Sequence, residues 1–175
     1  MLAYEQLSAL ASAIQTPRYN DGVPFTIRDF QPTDFDTLWR IDQSCFPAGI
    51  SYSRAELRFY MRRRGSFTLL AMNDADQAVV GFIVAEGDRG SGHVITIDVI
   101  GAVRRSGVGS LLLGAAENRL RAAQCHSVEL ETAVDNVSAL SFYKRHGYSV
   151  IKTFPRYYSN GVDALVLEKA LEPAR

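Results

Sequence analysis

The stretch Val99 to Leu113, V-I-G-A-V-R-R-S-G-V-G-S-L-L-L, restricts the possible folds of this chain more than any other. It begins at the end of a β-branched run, Val94 to Ile100, that reads as a strand, and it leads into helix-patterned residues from Val108 to Ala123. A strand, a glycine turn and a helix start in succession present several unpaired backbone N–H groups to one anion. Gly107 and Gly109 allow close backbone approach or a positive φ, while Arg104 and Arg105 add charge and forked donors. Such a turn suits a pyrophosphate. Two familiar phosphate motifs are excluded: no G-x-x-x-x-G-K-[ST] string occurs, and Gly107-Val108-Gly109 lacks the third glycine of G-x-G-x-x-G.

The rest of the chain alternates strand and helix patterns. Leu2, Leu7, Leu10, Ala11 and Ile14 have rough helical spacing and are followed by turn chemistry from Thr16 to Pro24, so residues 1–24 read as a short helix and linker set apart from a domain over 25–175. Phe25 to Phe30 alternates as a first strand, Thr33 is a helix cap, and Phe35, Leu38, Ile41 and Phe46 share one helix face. Cys45-Phe46-Pro47-Ala48-Gly49 breaks that helix, and Ser53 with Glu56 forms a capping box for the next. Strands are expected at 67–72, 78–85, 127–133, 148–154 and 162–167, with a helix over 136–145 closed by Gly147. In the long helix Val108, Leu111, Leu112, Ala115, Ala116 and Leu120 form the core face. The fold class is mixed α/β in a single domain.

Composition narrows the function. The chain has 175 residues, 47% apolar and 22% charged, with 19 basic residues against 19 acidic, so no bulk charge favours nucleic acid or an anionic membrane. No run approaches membrane-spanning length and no signal-peptide pattern opens the chain, so a cytoplasmic location is expected. Cys45 and Cys125 make neither a disulfide framework nor a metal site.

Three stretches together carry a family resemblance. Arg104 to Gly109 resembles the R-x-x-G-x-G acyl-coenzyme A loop of the GNAT superfamily of N-acetyltransferases. Leu130 to Tyr148 resembles the superfamily's later block L-x-V-x-x-x-N-x-x-A-x-x-x-Y-x-x-x-G-[FY], with Thr132 in place of the valine. Arg156-Tyr157-Tyr158 with Asp163-Ala164 looks like the ending of protein N-terminal acetyltransferases, especially bacterial enzymes acting on ribosomal proteins, and Gly92 to Ile97 resembles the matching strand of their catalytic subunits. The resemblance covers residues 25–170. It implies a central mixed sheet of six or seven strands, flanked by about four helices, whose two central strands splay apart. Two departures stand out: a proline usual near Gly101 is absent, and Asp98 replaces a small apolar residue. An acid in a central strand is either paired or faces a cleft, and a hydrogen-bonded Asp98 is expected.

The resemblance also implies a site. Acetyl-CoA is the donor, held by Arg104, Arg105 and the N–H groups of Ser106, Gly107, Val108, Gly109 and Ser110, with Asn136 on the pantetheine arm and the Val99 N–H at the thioester carbonyl. Tyr143 is the acid for the departing thiolate, next to Phe142 as the core residue. Glu131 is the first choice of base and His93 the second, with a water relay; partial burial would raise a carboxylate toward the task. Phe46, Tyr157 and Tyr158 line the acceptor groove. The reaction is direct attack by a primary amine in a ternary complex, without metal or a covalent cysteine. A protein or peptide α-amine is the leading acceptor. The rivals are a small-molecule amine and a non-catalytic acyl-CoA-binding module. Monomer and homodimer both remain open.

Overall fold

The computed structural model describes residues 24–47, 49–88 and 90–171; the helix expected within residues 1–24 lies outside the described residues. Seven strands form one mixed sheet in the order β1-β2-β3-β4-β5-β7-β6. They are β1 (Phe25–Asp29), β2 (Ser66–Asn73), β3 (Val79–Asp88), β4 (Ser91–Val99), β5 (Ser127–Ala133), β6 (Ser149–Phe154) and β7 (Ala164–Ala170). Among the described residues four α-helices flank it: α1 (Phe35–Cys45), α2 (Arg54–Met61), α3 (Val108–Ala122) and α4 (Val137–Arg145). The first four strands are antiparallel neighbours, as short connections require. Among the described strands only β4 and β5 run parallel, joined by the crossover through α3. None of the described helices is long and apolar enough to cross a membrane.

Each sheet face has its own core. Ile83, Val94, Val128 and Leu130 pack with Val108, Leu112, Leu113, Ala116 and Leu120 of α3. Phe82, Val84 and Leu70 pack on the other face with Phe35, Leu38 and Ile41 of α1 and Leu57 of α2. Several local expectations shift. Thr33 lies inside a 3-10 turn, Pro32–Asp34, whose cap is Gln31. Phe46 leaves the α1 face, because it is the extended residue that ends the helix. On α3, Leu113 and Glu117 are buried while Leu111 and Ala115 are half-buried. Glu117 is accommodated there by Tyr148, which donates to Oε1 at 3.1 Å, and by Lys169 at 2.7 Å from Oε2. The Ser53–Glu56 capping box forms as its sequence says, and Gly147 takes φ +87° after α4.

The feature that makes the site is a parting of β4 from β5. Their ladder runs from Ser91↔Ser127 to Val94↔Leu130 and stops, although β4 continues to Val99 and β5 to Ala133. On the other side of β4, Val84 faces Thr96 but Ala85 faces Val94, so Ile95 is an extra residue on β4. Such a bulge bends its strand and sharpens the local twist, here at the point of separation. Ile100 N–H bonds Val80 C=O, which puts residues 96, 98 and 100 in the hydrogen-bonded pairs with β3. Ile97 and Val99 therefore aim their N–H and C=O groups away from β3, into the gap.

Behind that strand two acids are buried side by side. Asp98 accepts from Thr96 Oγ1 at 3.1 Å, so the expected hydrogen bond is present, while its Oδ1 has no partner among the described residues. Asp42 of α1 accepts through Oδ2 from Tyr52 N and from Gln43 Nε2, each at 2.9 Å, and its Oδ1 is likewise unpartnered. Burial outweighs the hydrogen bonds and, with the Glu56 charge, pushes Asp42 up to about 6; burial, with the Asp42 charge, holds Asp98 well above its ordinary value. The folded chain thus binds the Asp42 proton more tightly than the unfolded chain does. That stabilisation is complete below the unfolded carboxylate's value and is lost as pH rises through about 6. Asp42→Asn removes the titration and keeps an acceptor for Tyr52. Thermal unfolding at pH 5 and pH 8 should show the variant gaining on the wild type at the higher pH, by on the order of 1–2 kcal/mol. Parallel curves at both pH values would contradict this.

Candidate active site

The parted strands open a cleft of about 870 Å³ lined by both strand ends, the turn before α3, the start and inner face of α4, and the loop after α1. At one end is the anion-suited turn. Arg105 has φ +66° and Gly107 φ +94°, both left-handed, so the chain doubles back and enters α3 with Gly107 as its cap. Leu111 N–H bonds Gly107 C=O, which leaves the N–H groups of Val108, Gly109 and Ser110 outside the helical ladder. Ser106 differs from expectation: its hydroxyl donates to Val103 C=O at 2.5 Å and its N–H is directed at the same carbonyl at 3.4 Å. Val108 contributes main chain alone, since its side chain is buried in the core.

Arg104 also does something other than expected. Its Nε donates to Val99 C=O at 2.9 Å, and Cys45 Sγ donates to the same oxygen at 3.4 Å. The Val99 carbonyl is thereby held, while its amide side faces the gap. Arg105 and Arg145 line the cleft as cations. Arg145 was not singled out by sequence; its signal was a basic residue in the last turn of α4. Ser110 Oγ lies 2.9 Å from His146 Nε2, and His146 Nδ1 lies 2.8 Å from Phe142 C=O. The carbonyl can only accept, so Nδ1 carries a hydrogen and donates to it. The hydrogen bond between Ser110 and Nε2 ties the α3 turn to α4.

α4 supplies the middle of the cleft. Asn136 caps it, accepting from Ala139 N–H at 3.1 Å, which leaves its amide hydrogens directed elsewhere. Both residues line the cleft, Tyr143 buried at 6% exposure and Phe142 half-buried beside Gly109. The expected roles of Phe142 and Tyr143 in packing are thus reversed, because the helix turns Tyr143 toward Tyr148 and the sheet. Burial raises the Tyr143 phenol far above its ordinary value, so it carries its proton at any working pH.

The other end is acidic and aromatic. His93 on β4 and Glu131 on β5 meet directly, Nε2 to Oε2 at 2.7 Å, because both point to the α1/α2 face one rung apart. Glu131 lines the cleft and His93 stands behind it. Burial opposes a charge on His93, yet the hydrogen bond with Glu131 and the charges of Glu131, Glu86 and Glu129 outweigh it and raise the imidazole. Tyr158 lines the cleft, Tyr157 stacks on Phe154 just outside it, and both feel the Glu131 charge. Burial, with Tyr157, Glu131 and Asp135, pushes Tyr158 up to about 12. Phe46 lines the mouth with Pro47 and Ile50. Tyr52 was missed by sequence reading. Its N–H is held by Asp42, its C=O receives Gln43 Nε2 at 2.8 Å and Trp39 Nε1 at 3.2 Å, and its hydroxyl donates to Ile95 C=O at the bulge.

The residues present fit an acyl-coenzyme A. A gap in the ladder offers strand edges to an extended amide-bearing arm, and unpaired helix-start amides with two arginines suit a diphosphate. Comparison with known proteins agrees. The profile of the acetyltransferase (GNAT) family matches residues 35–148. An uncharacterized N-acetyltransferase of Methanocaldococcus jannaschii is 35% identical over 144 residues, 82% of this chain and 90% of its own. A protein of Sulfurisphaera tokodaii named N-alpha-acetyltransferase is 27% identical over 164 residues, 86% and 95% of the two chains. The crystal structure of Ard1 from Thermoplasma volcanium superposes with a TM-score of 0.78 at 30% identity, over 86% of this chain and 99% of that one. The chain belongs to the GNAT acetyltransferase family and is an acetyl-CoA-dependent N-acetyltransferase.

Proposed function

We propose that the acceptor is the α-amino group of a protein or peptide N-terminus and that it attacks the donor directly in a ternary complex. The observation that carries this is the cleft's two-ended build. A cationic, amide-rich turn lies at one end, and a carboxylate–imidazole pair under a tyrosine rim lies at the other. Two reactants can enter from opposite ends and meet between β4 and β5 without a covalent relay through Cys45, whose thiol burial pushes up. The names of the relatives support the same reading, since the protein from Sulfurisphaera tokodaii is an N-alpha-acetyltransferase.

Acetyl-CoA supplies an acetyl group activated as a thioester. The protein's part is to hold it and move protons. Gly107, Val108, Gly109, Ser110, Arg105 and Arg145 hold the diphosphate, and Asn136 with the strand edges aligns the arm. The Val99 N–H, fixed by the strand and by the clamp on the Val99 carbonyl, is the donor toward the carbonyl oxygen. Glu131, backed by His93, receives the proton that the acceptor ammonium must lose before it can attack. Tyr143 gives a proton to the departing sulfur; its hydroxyl has no hydrogen-bond partner among the described residues, which leaves it free to do so. Tyr52, Tyr158 and Phe46 enclose the acceptor's first residue, with Tyr157 at the outer rim.

Two outcomes test this. Turnover should be seen with peptides beginning Ala, Ser or Met, and mass spectrometry should place the acetyl group on the α-nitrogen. Turnover confined to polyamines, amino acids or aminoglycosides would overturn the acceptor assignment. Tyr143→Phe should lower kcat by about 10²-fold or more while leaving acetyl-CoA affinity within about twofold. Equal loss of both, or of neither, would remove Tyr143 as the acid.

A further inference from the structure

His146 stands behind the diphosphate end of the cleft. It is the residue that ends α4, one turn after Phe142. Its Nδ1 is 2.8 Å from Phe142 C=O, which fixes a hydrogen on that nitrogen, and its Nε2 is 2.9 Å from Ser110 Oγ. The Phe142 ring packs against the imidazole with 4.4 Å between centroids, so the ring is held on both edges and one face. Ser110 lines the cleft, and its N–H is among those outside the helical ladder of α3. His146 does not line the cleft, so it meets a bound anion only through Ser110 and by its charge.

We propose that His146 is a positioning residue for the coenzyme's diphosphate: its ring takes up a proton when the anion binds, and so frees the Ser110 hydroxyl hydrogen for a phosphate oxygen. This rests on the reading that the diphosphate lies at the head of α3. Which atom owns the hydrogen between Nε2 and Oγ decides what the serine can do. On a neutral ring Nε2 is a bare acceptor, because Nδ1 already carries the ring's hydrogen. It then takes the serine's one hydrogen, and the oxygen offers only lone pairs to an anion. On a protonated ring Nε2–H donates to Oγ, and the O–H is free to donate into the cleft as a charge-assisted bond. One proton passes from solvent to Nε2, and no bond between heavy atoms is made or broken.

The surrounding charges make the ring responsive to that anion. The elements that meet it are the turn before α3, α3 itself and α4. The turn brings Arg104 and Arg105, and α4 brings Lys144 and Arg145. On α3 Glu117 is paired with Arg121 and Lys169, and Arg119 with Asp29. The end of α4 is itself a favourable place for a cation, and Nδ1–H is bonded to one of its last carbonyls. A diphosphate among the arginines cancels the repulsion they direct at a second cation and adds attraction of its own. Protonation of His146 is therefore easier in the complex than in the free chain. Imidazole is the side chain able to answer such a change near neutral pH. Linkage is reciprocal, so a proton on His146 tightens the coenzyme, and affinity rises as pH falls.

The probe is dephospho-coenzyme A, which keeps the diphosphate and lacks the phosphate monoester, a group that itself titrates at about pH 6. Nitrogen-detected NMR on the full chain should place the His146 midpoint about 0.5 pH unit or more higher in the complex than in the free protein. Calorimetry in two buffers of different ionisation enthalpy should record net proton uptake on binding. The dissociation constant should be about threefold or more smaller at pH 5.5 than at pH 8, which is the midpoint shift expressed as a ratio. His146→Gln can still bond Ser110 but cannot titrate, so it should bind with no proton uptake and with affinity independent of pH over that range. If the amides of Val108, Gly109 and Ser110 respond to the probe while the wild-type His146 midpoint stays put, the role of His146 is overturned and the placement of the diphosphate stands. Proton uptake that persists in His146→Gln overturns it equally. If the probe binds and those amides do not respond, both fall together. The wild-type midpoint decides the case even where the variant does not fold.

Discussion

The absence of a ladder between the ends of β4 and β5 is the constraint on which the rest of this structure depends. Backbone groups inside a sheet must be paired, and a gap between two central strands exposes them in the middle of the fold. Here the gap is maintained from both sides. The bulge at Ile95 turns β4 away, Tyr52 and Cys45 reach its carbonyls from the α1 side, and Arg104 closes over Val99. On the β5 side, the strand is secured by antiparallel pairing with β7 along its whole length. What remains unpaired is directed at the cleft, an edge that suits an extended amide-bearing arm.

The two ends of the gap then differ for simple electrostatic reasons. The turn before α3 concentrates free N–H groups and the positive end of a helix, with Arg105 and Arg145 beside it. The far end gathers Glu86, Glu129 and Glu131 around His93. Those charges suit an anionic donor at one mouth and a cationic acceptor at the other. The buried acids Asp42 and Asp98 lie behind the strand, and Asp42 acts through the main chain of Tyr52 instead of touching a reactant. Burying a partly unsatisfied acid there lowers stability at neutral pH.

Much of this was legible in the chain. The strand-turn-helix around Arg104 to Ser110, the capping box at Ser53, the Asn136 cap and the Gly147 stop are local chemistry, and each appears where its residues place it. The splay was implied by resemblance and by no local signal. What sequence could not show is contact across the sheet. The meeting of Glu86, His93 and Glu131 depends on register between three strands, two of them distant in the chain. The turning of Arg104 onto Val99, the burial of Tyr143 in place of Phe142, and the choice of Leu113 over Leu111 are likewise decided by what packs opposite, not by spacing.

Amide hydrogen exchange on the intact chain, with and without coenzyme A, tests the role of the gap most directly. The account predicts that the ligand slows exchange at Ile97 and Val99 on β4 and at Val108 to Ser110 at the head of α3, while β1 to β3 are unaffected. Protection centred on any other surface, or none at saturating coenzyme, would contradict it.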